Sequence, residues 1–174
     1  HLDNIYSGWE WAFRNQHFEL LSHAIIPFTQ FHIYAGLLWD IHLRVDSYYQ
    51  KLQELMAQEP EAANQRVRHE FATALNFSRA VFQYYLSNYE QAHKLFDETY
   101  EQVRQHGYWY LAANIEYHLA NFCALAQQVE QAQHHFEQAI HHAEQQQQPY
   151  SRIRPLLYLA VTSNVAGSSQ HIPR

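Results

Sequence analysis

Four histidines in one short stretch, His134, His135, His141 and His142, are the first residues whose type and spacing could do chemistry. They recur at a spacing of seven, and Glu137 stands four before His141. Residues four apart share a helix face, so Glu137 and His141 could together chelate a divalent ion. A zinc site draws on three or four ligands, so the pattern reads as a solvated helix face and no metal is expected. Cys123 falls on an apolar face with Leu119 and Ala126. A nucleophilic cysteine needs a neighbouring base in an electropositive, open setting. Neither is local, so a packing role is expected. The sequence holds no GxSxG elbow, no HExxH pair and no GxxxxGK[ST] phosphate loop. No catalytic residue is assigned, no cofactor is implied, and binding is expected rather than catalysis.

The residues suited to binding are aromatics, amides and one arginine: Phe77, Tyr84, Asn114, Tyr117, Asn121, Arg154 and Asn164. Aromatic faces, amide forks and a guanidinium suit an extended peptide or a small polar ligand such as a sugar. The same aromatics also suit packing between helices.

The elements that must position these residues are helical. Leu111, Ile115, Leu119, Phe122 and Ala126 recur at spacings of three and four, as do Leu95, Phe96, Thr99 and Val103. No useful stretch alternates with period two. Breaks are expected near Asn15–Gln16, Gly36, Gln58–Pro60, Ser87–Asn88, Gly107, Gln127–Gln128 and Gln148–Pro149. They predict about eight helices joined by short turns, with Pro60 and Pro149 each in the first turn of a helix. The Gln145–Gln148 run reads as a solvated helix end.

Composition excludes several classes. With 4 Gly and 5 Pro in 174 residues, a many-stranded fold of tight turns is not expected. A net charge of −6 argues against direct nucleic-acid binding. A single cysteine excludes an internal disulfide. No apolar run reaches the roughly 18 residues of a membrane span and no signal peptide opens the chain, so a cytoplasmic protein without membrane contact is expected.

The strongest pattern is self-similarity at a spacing of 40. Asn88-Tyr89-Glu90-Gln91-Ala92 precedes Phe96, and Gln128-Val129-Glu130-Gln131-Ala132 precedes Phe136. Ala80, Ala120 and Ala160 keep the same spacing. A period of this size marks stacked helical hairpins, each unable to bury its apolar face alone. Ala80, Ala92 and Phe96, then Ala120, Ala132, Phe136 and Ala139, resemble tetratricopeptide repeats. In that family a small residue in the first helix meets one early in the second, with an aromatic four positions on. The departures are Thr99 in place of the usual final Ala, no Trp or Leu-Gly pair in the first helices, and a period of 40 rather than 34. The resemblance implies an all-α fold of antiparallel helical hairpins in a right-handed superhelix. Its repeats would span about 67–106, 107–146 and an incomplete 147–174, behind an N-terminal helical hairpin region at 1–66. In that register the seven binding residues above line the concave groove together with Val81 and Tyr85.

The opening His1-Leu2-Asp3-Asn4-Ile5-Tyr6-Ser7-Gly8-Trp9-Glu10-Trp11-Ala12, with the later Phe31…Tyr34-Ala35-Gly36, resembles the start of the C-terminal sensor arrays of large bacterial signal-transducing ATPases (STAND-type, LuxR-like). The chain begins at His1 without an initiator Met, and is expected to be a piece of such a regulator. The resemblance implies a sensor or interaction module that binds a protein, a peptide or a small polar ligand. The alternative is a structural protein–protein scaffold with no small ligand. The apolar residues Ile153, Leu156, Leu157, Leu159, Ala160 and Val161 in the third repeat are expected to expose a face through which the chain dimerises.

Overall fold

A computed structural model describes residues 2–169, with side chains described through residue 160. Every element among the described residues is helical: α1 (Leu2–Arg14), α2 (Phe18–Tyr34), α3 (Leu38–Gln58), α4 (Gln65–Tyr85), α5 (Tyr89–His106), α6 (Ala112–Leu125), α7 (Val129–Gln145) and α8 (Pro149–Ser169). A single turn of 3₁₀ helix at Trp109–Leu111 leads into α6. No helix of the described residues is long and apolar enough to cross a membrane.

One turn recurs through the chain. Helices α1, α2, α4, α6 and α7 each end three residues before a backbone N–H that reaches back to the last turn. The bonds are His17 to Ala12, Leu37 to His32, Asn88 to Gln83, Gln128 to Cys123 and Gln148 to Ala143, at 2.8–2.9 Å. The residue before each donor has positive φ: Gln16 56°, Gly36 70°, Ser87 66°, Gln127 59° and Gln147 54°. This is the Schellman arrangement, in which a left-handed residue lets orphan carbonyls find donors. The next helix begins at once, and α2, α3 and α7 open without a side-chain cap. Helices lacking such caps depend on burying their apolar faces.

Only Gly36 meets the left-handed requirement at no steric cost; the other four carry a Cβ. We therefore expect Ser87→Gly and Gln127→Gly each to stabilise the fold by about 0.5–1 kcal/mol, less than the full left-handed penalty because glycine also loosens the unfolded chain. Chemical denaturation measures this, and a lowered midpoint for both variants would contradict it.

The chain forms two compact units, His1–Thr99 and Tyr100–Arg174, which divide inside α5. In the first unit α4 is central, packing against α2 and α3. Its face from Phe71 to Val81 is buried almost without interruption. Phe13 of α1, Phe18 of α2, Tyr48 of α3 and Phe71 of α4 form one aromatic cluster, with Phe18 stacked on Phe71 at 5.4 Å. Arg68 is 2 % exposed and gives its guanidinium to Glu59 beyond α3 and to Gln16 in the α1–α2 turn. Pro60 lies in that α3–α4 connection and not in a helix's first turn, because α4 starts only at Gln65. The segment carries its own hydrogen bonds, Gln65 donating to the carbonyls of Glu59 and Pro60. Pro149 does open α8.

Helix α4 also pairs with α5. Phe77 meets Phe96 edge-on at 6.2 Å, and Asn76 donates to Thr99 at 3.2 Å. In the second unit α6 packs against α7, and α7 against α8. Ala120, Ala132 and Phe136 form the buried centre, with Tyr117, Tyr158 and Leu159 against them. The two small residues let α6 and α7 approach, and Phe136 fills the space toward α8 by resting on Tyr158 at 4.1 Å.

Candidate functional site: a polar and aromatic surface on α6 and α8

Helix α6 is buried along Ala112–Glu116 and His118–Ala120, and opens on the side of Tyr117 and Asn121. Tyr117 is half-buried, its ring tilted against Phe136 at 5.9 Å and edge-on to His118 at 5.3 Å. Arg154 of α8 places its guanidinium carbon 5.7 Å from the Tyr117 ring centre. Partial burial lowers the pKa of that arginine, although a guanidinium remains charged. Asn121, one turn further along α6, donates to the Tyr117 carbonyl at 2.9 Å, which leaves its amide oxygen directed away from that bond. Asn114 lies one turn earlier, nearly buried, and donates to Ser151 of α8 at 3.4 Å. Thus Asn114, Tyr117, Asn121 and Arg154 form one row over two packed helices.

The other residues expected in a groove are placed differently. Phe77 is 3 % exposed and packs in the α4–α5 core. Val81 is buried as well. Tyr84 is half-buried and meets Tyr85 and Tyr89 edge-on at 5.4 and 5.6 Å, an aromatic group at the α4–α5 turn of the first unit. The side chain of Asn164 lies outside the described residues.

Comparison with family models, curated proteins and solved structures finds no match for this chain. Its chemistry therefore has to be read from its own side chains.

The histidine-rich helix α7 holds His134 beside His135 and His141 beside His142, and no group of three or more His, Cys, Asp or Glu among the described residues is placed to hold a metal ion. Cys123 is half-buried rather than inside, with its sulfur 3.9 Å from the Gln131 amide oxygen, and burial raises its pKa away from a reactive thiolate. From the half-open last turn of α6 it packs against the Ala120–Ala132–Phe136 cluster, in keeping with a packing role.

A buried polar cluster escaped the reading of the sequence. Glu116, 4 % exposed, accepts from His135 of α7 at 2.7 Å and from the Tyr100 hydroxyl of α5. Burial and the hydrogen bond to this carboxylate push the Tyr100 pKa up, so it stays a neutral donor. His142 stacks on Trp109 at 5.8 Å, and burial lowers its pKa while the charge of Glu116 pulls the other way. The available signal was the repeat register: Glu116 is the equivalent of Asn76, the polar position that α4 uses toward Thr99.

Proposed function

We propose that this chain is a binding module of a larger bacterial regulatory protein, a non-catalytic array of hairpins stacked as a right-handed, tetratricopeptide-like superhelix. Its binding surface is the row Asn114, Tyr117, Asn121 and Arg154, and its ligand an extended peptide with carboxylate side chains. The observation that carries this reading is the placement of the Arg154 guanidinium against the Tyr117 ring, beside Asn121. A planar guanidinium can donate two parallel N–H bonds to a carboxylate. The amides on either side suit the peptide backbone. Because the row spans α6 and α8, a ligand there binds one arrangement of the two helices better than others and shifts the population toward it. That shift is how the module would pass a signal onward.

Fluorescent decapeptides of alternating Tyr and Glu, with Gln replacing Glu in the control, test the reading. The glutamate peptide is expected to bind the wild-type chain and to lose about tenfold in affinity on Arg154→Gln. Equal binding of the Gln control, or unchanged affinity in the variant, would overturn it. The second reading, a structural scaffold without a small ligand, draws on the exposed apolar residues of α8.

A further inference from the structure

Helix α1 is held in the first unit largely by rings. Trp9 stacks on Phe28 of α2 at 3.9 Å, and Phe13 meets Phe18 edge-on at 5.7 Å. Tyr6 lies against His32 of α2 at 5.6 Å, their planes 20° apart. Arg44 of α3 places its guanidinium carbon 4.5 Å from the Tyr6 ring centre. Polar links join these helices as well. Tyr48 of α3 donates to Glu10 at 2.9 Å, and the Tyr6 hydroxyl lies 3.2 Å from Nε2 of His32. The indole N–H of Trp9 is buried at the same interface without a hydrogen-bond partner. An unpaired buried donor weakens an interface relative to its ring contacts alone. The seat of α1 is therefore filled in shape and incomplete in hydrogen bonding.

His32 is fully enclosed at this seat, with Nδ1 2.7 Å from the Phe28 carbonyl. A carbonyl only accepts, so Nδ1 carries the hydrogen and Nε2 of the neutral ring offers a lone pair to the Tyr6 hydroxyl. A second proton on the ring takes that lone pair away. The hydroxyl must then reverse, and a full charge sits among rings and away from water. The charged groups acting on the link through Tyr6 are Arg44 and Asp40 of α3 and Asp3 of α1. The two carboxylates soften the new charge, and Arg44, already against the Tyr6 ring, opposes it. Helix α4 meets α2 here through the neutral pair Ser78 and Thr29, while its Arg79 is engaged by Asp46 and Tyr49 of α3.

We propose that α1 is an acid-released helix: a proton on Nε2 of His32 breaks its link to Tyr6, and α1 lifts from α2 while α2, α3 and α4 stay packed, uncovering Trp9 and Phe28. The Phe18–Phe71 stack, the Thr29–Ser78 bond and the Arg79–Asp46 pair hold those three helices together without using His32. Burial lowers the pKa of His32 in the docked state, the Phe28 carbonyl pulling the other way. Lifting α1 lets water reach Nε2 and restores the ordinary value. The docked state thus refuses a proton that the undocked state accepts. The docking equilibrium falls as pH falls, by up to about tenfold per pH unit below about pH 6, and is independent of His32 above about pH 7.

Hydrogen–deuterium exchange of the full chain tests this, with each helix corrected for the intrinsic effect of pH on exchange. Between about pH 7 and pH 5, the amides of α1 from Tyr6 onward are expected to lose about tenfold more protection than those of α4. Glutamine takes up no proton in this range, so His32→Gln should abolish the difference. Tyr6→Phe keeps the ring and removes the hydroxyl that favours neutral His32, so α1 should come off at a higher pH than in the wild type. Parallel loss of protection in α1 and α4, or a loss specific to α1 that persists in His32→Gln, overturns the inference. A loss that begins only below pH 4.5 overturns it too, because Glu10 and its bond from Tyr48 would then be responsible. If His32→Gln lacks the helical circular dichroism of the wild type, Tyr6→Phe decides: an unchanged pH profile of α1 in that variant overturns the inference.

Discussion

Truncating Phe136 to alanine lowers the free energy of unfolding by about 3–5 kcal/mol, measured as a lower urea midpoint at unchanged slope. The ring is fully buried and touches three helices' worth of neighbours: Ala132 on its own helix, Ala120 and Tyr117 on α6, and Tyr158 and Leu159 on α8. Its removal costs the transfer energy of a whole ring and leaves a cavity. That cavity cannot close by local collapse, because the small residues Ala120 and Ala132 have already brought α6 and α7 as near as their backbones allow. Phe136→Leu, which keeps most of the volume, should lose markedly less. A loss below about 1 kcal/mol for the alanine variant would show that the Ala120–Ala132–Phe136 cluster does not hold the second unit together.

Acid weakens the fold well before its carboxylates titrate. His118 is fully buried in α6, and desolvation lowers its pKa to about 3; His32, buried in α2, is lowered for the same reason. In the unfolded chain both return to about 6.5. Below that pH the unfolded chain takes up protons that the folded chain refuses, so stability falls as pH falls. For His118 alone the slope is about 1.4 kcal/mol per pH unit below pH 6, continuing toward pH 3. Above pH 7 neither state holds the proton and the dependence vanishes. Denaturant titrations between pH 5 and 7 should show this fall, and His118→Gln should flatten it. An unchanged slope in that variant would mean that the buried imidazole is protonated in the folded chain.

Much of the fold was legible because it is punctuated. The breaks expected at Asn15–Gln16, Gly36, Ser87–Asn88, Gln127–Gln128 and Gln148–Pro149 coincide with the five recurrent turns. Polar residues there interrupt a helical period, and periodicity is the most local signal a sequence carries. The period also gave the buried faces, since Leu95, Phe96, Thr99 and Val103 all lie inside. It could not say what covers each face. Phe77 and Tyr117 hold equivalent places, yet one is sealed by Phe96 and the other keeps an open side that Arg154 shares. That difference arises from neighbours distant in sequence. The same limit hid the Glu116–His135–Tyr100 cluster, in which each residue alone looks like an ordinary solvated side chain. Pro60 was misplaced because a proline that suits a helix start suits a hydrogen-bonded connection equally well.

In both hairpins the paired aromatics are only nineteen residues apart, Phe77 with Phe96 and Tyr117 with Phe136. Hairpins built from such near-sequence pairs have low contact order and should close quickly, whereas the first unit must also bring Phe18 of α2 onto Phe71 of α4. The hazard lies in the shared register. A second helix such as α7 presents the same small-residue and aromatic spacing as α5, so during synthesis or refolding it could zip onto the wrong first helix, in the same chain or in its neighbour. The native pairings differ mainly in their polar contacts, Asn76 with Thr99 and Glu116 with His135. Those buried bonds therefore act as proofreading: a mispaired hairpin would keep its apolar contacts but strand a buried amide or carboxylate, and come apart before it could trap the chain.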